Sequence, residues 1–152
     1  MSRPEPRSGR PLGIHLVFAY DTDGIQLTAR IPGALTVAPS DDVTAEPPAT
    51  AIAAELRTAK DVPTFRRVVH DAIPPTIEVF DPDRGVHRLP RPRESGAFAV
   101  VVPDDERARD VVLVAGARGV PPELRFAPAP GARARAREIA RFSFRGDEHE
   151  RG

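Results

Sequence analysis

The chain has no cysteine and no tryptophan, and only one tyrosine, one methionine and one lysine among 152 residues. Lack of cysteine excludes disulfides, thiolate metal sites and a cysteine nucleophile. With aromatics reduced to seven phenylalanines and that one tyrosine, a core must rest on Val, Ile, Leu and Ala. Excess charge is missing too: 22 basic residues stand against 22 acidic ones, so no global field draws nucleic acid or an acidic membrane. No run approaches the roughly eighteen consecutive apolar residues of a membrane-spanning helix. The N-terminal "MSRPEPRSGRPLG" lacks the apolar h-region of a secretory signal. These absences predict a soluble, unexported, cytoplasmic protein.

What is present is arginine, which outnumbers lysine 21 to 1, together with 18 prolines, 11 glycines and much alanine. All four have GC-rich codons, which fits a GC-rich bacterial genome and argues against reading every arginine cluster as a site. A chain of this length reads as one domain, able to hide roughly 70% of its unfolded surface without a staple. Residues 1–12 show no periodicity and read as a disordered arm, 13–145 as the domain, and 146–152 as a polar tail.

Within the domain the apolar pattern has period two. "GIHLVFAY" (13–20) places Ile14, Leu16, Phe18 and Tyr20 on one face, and "IQLTARI" (25–31) does the same with Ile25, Leu27, Ala29 and Ile31. "DTDG" between them is hairpin chemistry, because Gly24 takes a positive φ without a Cβ penalty. "AIAAELRTA" (51–59) turns Ile52, Ala54 and Leu56 inward and Ala53, Glu55 and Arg57 outward. "TFRRVVH", "TIEVF", "AFAVVV", "DVVLVAG" and "IARFSF" supply five more strands, while Pro74-Pro75 must fall between strands or on an edge. Seven or eight short strands separated by Pro, Gly and Asp turns, with no convincing helix, predict an all-β, antiparallel sandwich. The run from Ala54 to Gly116, with its "VVHDAI", "IEVF", "GAFAVVVPD" and "VVLV" segments, resembles small bacterial proteins of immunoglobulin-like or fibronectin-III-like pattern. The resemblance implies that fold and no particular activity.

Candidate sites are few. "RRVVHDAIPPTIEVFDPD" (66–83) holds a His-Asp pair, His70-Asp71, of the kind metal-dependent hydrolases use. The other histidines are His15 in a strand, His87 in a loop and His149 in the tail, and Asp71 starts a proline-closed turn, so the stretch reads as a connection between strands. Against a calcium loop, "DTDG" puts Ala19 and Arg30 where carboxylates are needed. "GARG" (116–119) lacks a P-loop ending, and no G-x-S-x-G is present. The segment 133–145 carries five arginines against one Glu, so Arg133, Arg135, Arg137 and Arg141 are candidates for contacting a partner. A nucleic-acid role for that segment is the alternative; guarding a final edge strand is the plainer one. The resulting expectation is a non-enzymatic accessory or protein-binding module with no cofactor and no metal. It would engage another protein through a strand edge or the 32–50 loop.

Overall fold

The computed structural model describes residues 12–73, 76–90, 95–120 and 137–146. Most of the expected N-terminal arm, the polar tail, and both Arg133 and Arg135 lie outside the described residues. The described elements are nine strands: β1 Gly13–Asp21, β2 Ile25–Gly33, β3 Ala51–Arg57, β4 Pro63–His70, β5 Thr76–Asp81, β6 Gly85–Pro90, β7 Ser95–Pro103, β8 Asp110–Ala115 and β9 Arg137–Ser143. Among the described residues no helix is long and apolar enough to cross a membrane. His87, expected in a loop, lies in β6. That strand escaped the pattern reading because its six residues, "GVHRLP", include a glycine, a proline and two polar residues.

The strands form three antiparallel sheets with orders β2-β1-β7, β4-β3-β8-β9 and β5-β6. The first two share one core. Ile14, Leu16, Phe18 and Tyr20 of β1 and Val100 and Val102 of β7 meet Ile52, Ala54 and Leu56 of β3 and Val111, Leu113 and Ala115 of β8. Each fully buried Leu, Ile or Phe contributes roughly 1.5–3 kcal/mol relative to exposure. Phe18 binds the sheets together: its ring stacks on Phe98 at 5.2 Å within its own sheet and meets Phe142 of the other at 5.8 Å.

Two expectations about strand faces are corrected. In β2, Val17 pairs with Ala29 but Phe18 pairs with Leu27, so Thr28 is an extra, unmatched residue. One inserted residue reverses the facing of everything beyond it. Ile25 and Leu27 pack on the core, but Ile31 is turned outward and is 53% exposed. Arg30, opposite Leu16, takes the inward side and donates from Nη2 to the Ser143 carbonyl at 2.7 Å, joining the edge of one sheet to the edge of the other. In β3 both faces are buried, including Ala53 and Glu55, which were expected to face solvent. The connection between β2 and β3 reaches this face through Arg66, which donates to its Asp42 and Ala45 carbonyls.

Candidate functional site

That connection, residues 34–50, folds as a strap along β4, the outermost strand of the four-stranded sheet. Asp41 donates its N–H to the Arg66 carbonyl at 2.9 Å, Arg66 donates its own to Ser40 Oγ at 2.9 Å, and Val68 donates to Asp41 Oδ2 at 2.8 Å. Arg66 and Val68 are two residues apart, so these are the main-chain groups that point away from β3. The strap thus closes much of the β4 edge. Side chains fasten it further: Arg67 Nη2 donates to the Ala38 and Pro39 carbonyls at 2.6 and 2.9 Å, and Arg66 Nη1 to those of Asp42, at 3.0 Å, and Ala45.

Arg66 is held by Glu55, its direct partner across β3 and β4. Nη2 lies 3.1 Å from Oε1, with the side chains only 7% and 2% exposed. Removing a charge pair from water carries a desolvation cost that their attraction offsets only with good geometry and extra hydrogen bonds. The strap carbonyls supply those bonds.

The same outer face continues to Arg141 on β9. Its guanidinium meets three carboxylates of its own chain: Asp61 at 2.9 Å, Asp110 at 3.0 Å and Glu138 at 2.8 Å. Hydrogen bonds to Glu138 and then Asp61 push the Arg141 pKa further up. Those from Arg141 and then Arg57 hold the Asp61 carboxyl below the usual aspartate range. Of the four arginines picked out by sequence, Arg141 therefore belongs to an internal network, and Arg137 lies in β9 beside Ala115. Arg133 and Arg135 lie outside the described residues.

His70 ends β4 and is exposed, and Asp71 follows in a turn with φ of 51°. Among the described residues no three His, Asp or Glu side chains converge as metal ligands would. In "DTDG", Asp21 Oδ1 accepts from the N–H groups of Asp23 at 2.8 Å and Gly24 at 3.1 Å, an Asx arrangement that closes the β1–β2 turn. The "DPDRG" stretch does the same for β5 and β6, with Asp83 donating to Asp81 Oδ1 at 2.8 Å and Gly85 at φ 78°. This hairpin presents a cross-strand pair, Phe80 and Val86, 73% and 63% exposed.

The remaining feature is β7, which the sequence reading did not single out as an edge. Its outer side pairs with no described strand. Asp104 donates to the Leu12 carbonyl in line with the β1–β7 register, so residues of even number turn their main-chain groups toward β1. The N–H and C=O groups of Ser95, Ala97, Ala99 and Val101 consequently point away from the sheet. Among the described residues no backbone hydrogen bond reaches them. An open groove of about 400 Å3 runs beside this edge, between residues 99–101 of β7, residues 67–70 of β4, Arg67 among them, and Thr36 and Ala38 of the strap.

The four outer strands of the two large sheets differ in how they are protected. β4 is covered by the strap; β2 has its bulge, Arg30 and Pro32; β9 has a bulge of its own at Ile139 and charges at Glu138 and Arg141. Among the described residues β7 has no bulge and no charge, and its one proline, Pro103, is its last residue. Its nine pairs with β1 run without a shift, and residues 95–102 contain no charge and no proline. The visible signal in the sequence was that uncharged run, which read as core strand and not as edge.

No family model, no curated protein and no solved structure matches the chain.

Proposed function

We propose that the chain is a non-enzymatic protein-binding module with an immunoglobulin-like arrangement, and that it binds by taking a partner strand onto the outer edge of β7. The observation that carries this is the contrast among the four edges. Long, flat, uncharged edges invite pairing with another chain, and proteins ordinarily blunt them. Here three are blunted and the fourth is left open beside a groove. Main-chain pairing at such an edge gives affinity, and adjoining pockets select side chains.

The immunoglobulin-like reading is supported by neighbours. In that fold strand B lies beside E in one sheet and C beside F in the other, with C′ and G flanking. β1 beside β7, and β4-β3-β8-β9, reproduce those adjacencies. The departure is β2, which occupies the place of strand A yet follows its neighbour in the chain.

The test is a pull-down with the intact protein and with Ala97→Lys/Ala99→Lys, which charges the edge on its solvent side. A protein captured by the first and lost by the second supports strand addition. Capture unaffected by the substitutions overturns it, as does recovery of nucleic acid alone.

A further inference from the structure

We infer that the strand taken up by β7 is the β7 of a second copy, giving a two-fold symmetric dimer; this rests on the strand-addition reading above and goes beyond it. Two-fold pairing sets each edge against itself, so any charge on it faces a like charge or its near neighbour. β9 would bring Glu138 and Arg141 into such a contact, and they are already committed to each other. β2 would bring its bulge and Pro32. β7 brings only Ser95, Gly96, Ala97, Phe98, Ala99 and three valines before Pro103. Of the four edges it is the one whose pairing with its own copy sets no charge against a charge.

The spacing of main-chain groups fits as well. Ser95, Ala97, Ala99 and Val101 offer outward donors and acceptors at every second residue. An antiparallel copy with its axis at Phe98, setting Ala97 against Ala99 and Ser95 against Val101, meets them with the same set, as isologous pairing requires. The result is one continuous six-stranded sheet, β2-β1-β7 followed by β7-β1-β2. Phe98, inward-facing but only partly buried in the single chain, becomes interior to that sheet. The exposed side chains of Ala97 and Ala99 are small, and at residues 99–101 the second strand would enter the groove whose far wall is β4 and the strap.

Light scattering during size-exclusion chromatography tests the inference. The wild-type chain is expected to elute as a dimer. Ala97→Lys/Ala99→Lys and Ala97→Glu/Ala99→Glu are each expected to elute as monomers with an unchanged circular dichroism spectrum, and their equimolar mixture to recover the dimer. A wild-type chain that stays monomeric at several hundred micromolar overturns the second-copy inference. A dimer indifferent to both double variants does so too, by placing the interface elsewhere. Strand addition itself survives a monomeric wild type if the lysine variant still loses a captured protein, so the two readings fail separately.

Discussion

The ring of Tyr20 fills the space in which Gly96, its partner across β1 and β7, would carry a side chain. A Cβ built on Gly96 falls inside the contact envelope of Tyr20 Oη and Cζ. Gly96→Ala should therefore cost about 1–3 kcal/mol, the range for forcing an extra carbon into a filled core. The urea midpoint reads this directly. In a Tyr20→Val background the same change should be nearly neutral; costs that simply add would show that the ring does not lie over the glycine.

Glu55 and Arg66 predict a different kind of non-additivity. Glu55→Ala leaves a buried guanidinium uncompensated and should cost about 3–5 kcal/mol, whereas an apolar pair of similar volume, Glu55→Leu with Arg66→Met, should come close to wild type. Both arginines near Glu55, Arg57 and Arg66, leave Nε without a partner, so the native pair is not fully satisfied either. Because Arg66 also holds the strap, amide exchange at Asp41 should accelerate in Glu55→Ala. Protection unchanged there would separate the ion pair from the strap.

Acid should loosen the outer face of the four-stranded sheet. Asp61 and Asp105 are held below their ordinary value of 3.8, Asp61 mainly by Arg141 and Arg57, Asp105 mainly by Arg107. A depressed carboxylate stabilises the fold above its unfolded pKa and loses that contribution as pH falls through the lower folded value. Melting temperature should thus be level above about pH 5 and decline below about pH 4. Asp61→Asn should have a shallower acid limb; an unaltered limb would mean that the Arg141 contacts are not kept in solution.

Asp71 adopts φ of 51° and Asp61 φ of 62°, in the left-handed region that side chains other than Asn and Asp rarely enter. Asp71→Gly should be tolerated, while Asp71→Val should lose about 1–2 kcal/mol from backbone conformation alone. Were Asp71 a metal ligand beside His70, the glycine variant would instead abolish a stabilisation by added zinc or manganese. Thermal melts of both proteins with and without metal distinguish the cases.

Phe18 and Phe98 are partners in register and in contact. Phe18→Ala, at a fully buried site, should cost about 3–5 kcal/mol. Phe98→Ala should cost less in the monomer because that ring is only partly buried. A double-mutant cycle should return a coupling of about 0.5–1.5 kcal/mol for the stacked pair. Absence of coupling would contradict the stacking.

Strand positions were legible because burial imposes period two on Ile14, Leu16, Phe18 and Tyr20 without help from anything distant. The failures at Ile31 and Glu55 have a common physical source. Neither the register slip at Thr28 nor the strap bonded by Arg66 leaves a periodic trace, since one depends on what stands opposite and the other on what a distant segment supplies. The candidate edge was hidden for a related reason: an uncharged strand looks the same whether both of its sides are paired or one waits. The ion network was visible only as composition, because Asp61 and Arg141 are separated by most of the domain.

The unmatched residue in β2 is a position whose removal would take no partner away from β1. Thr28 covers its own insertion by donating Oγ1 to the Val17 carbonyl at 3.1 Å. Loss of that one codon would remove the bulge and leave the pairing as it is, Ala29 opposite Val17, Arg30 opposite Leu16 and Ile31 opposite His15, so Arg30 would keep its hold on Ser143. In divergent relatives, a deletion at this point should therefore need no exchange of polar and apolar character at the positions of Arg30 and Ile31. Lineages on either side of that event would keep the same residues inside and differ only in the local bend that an unpaired residue gives its strand.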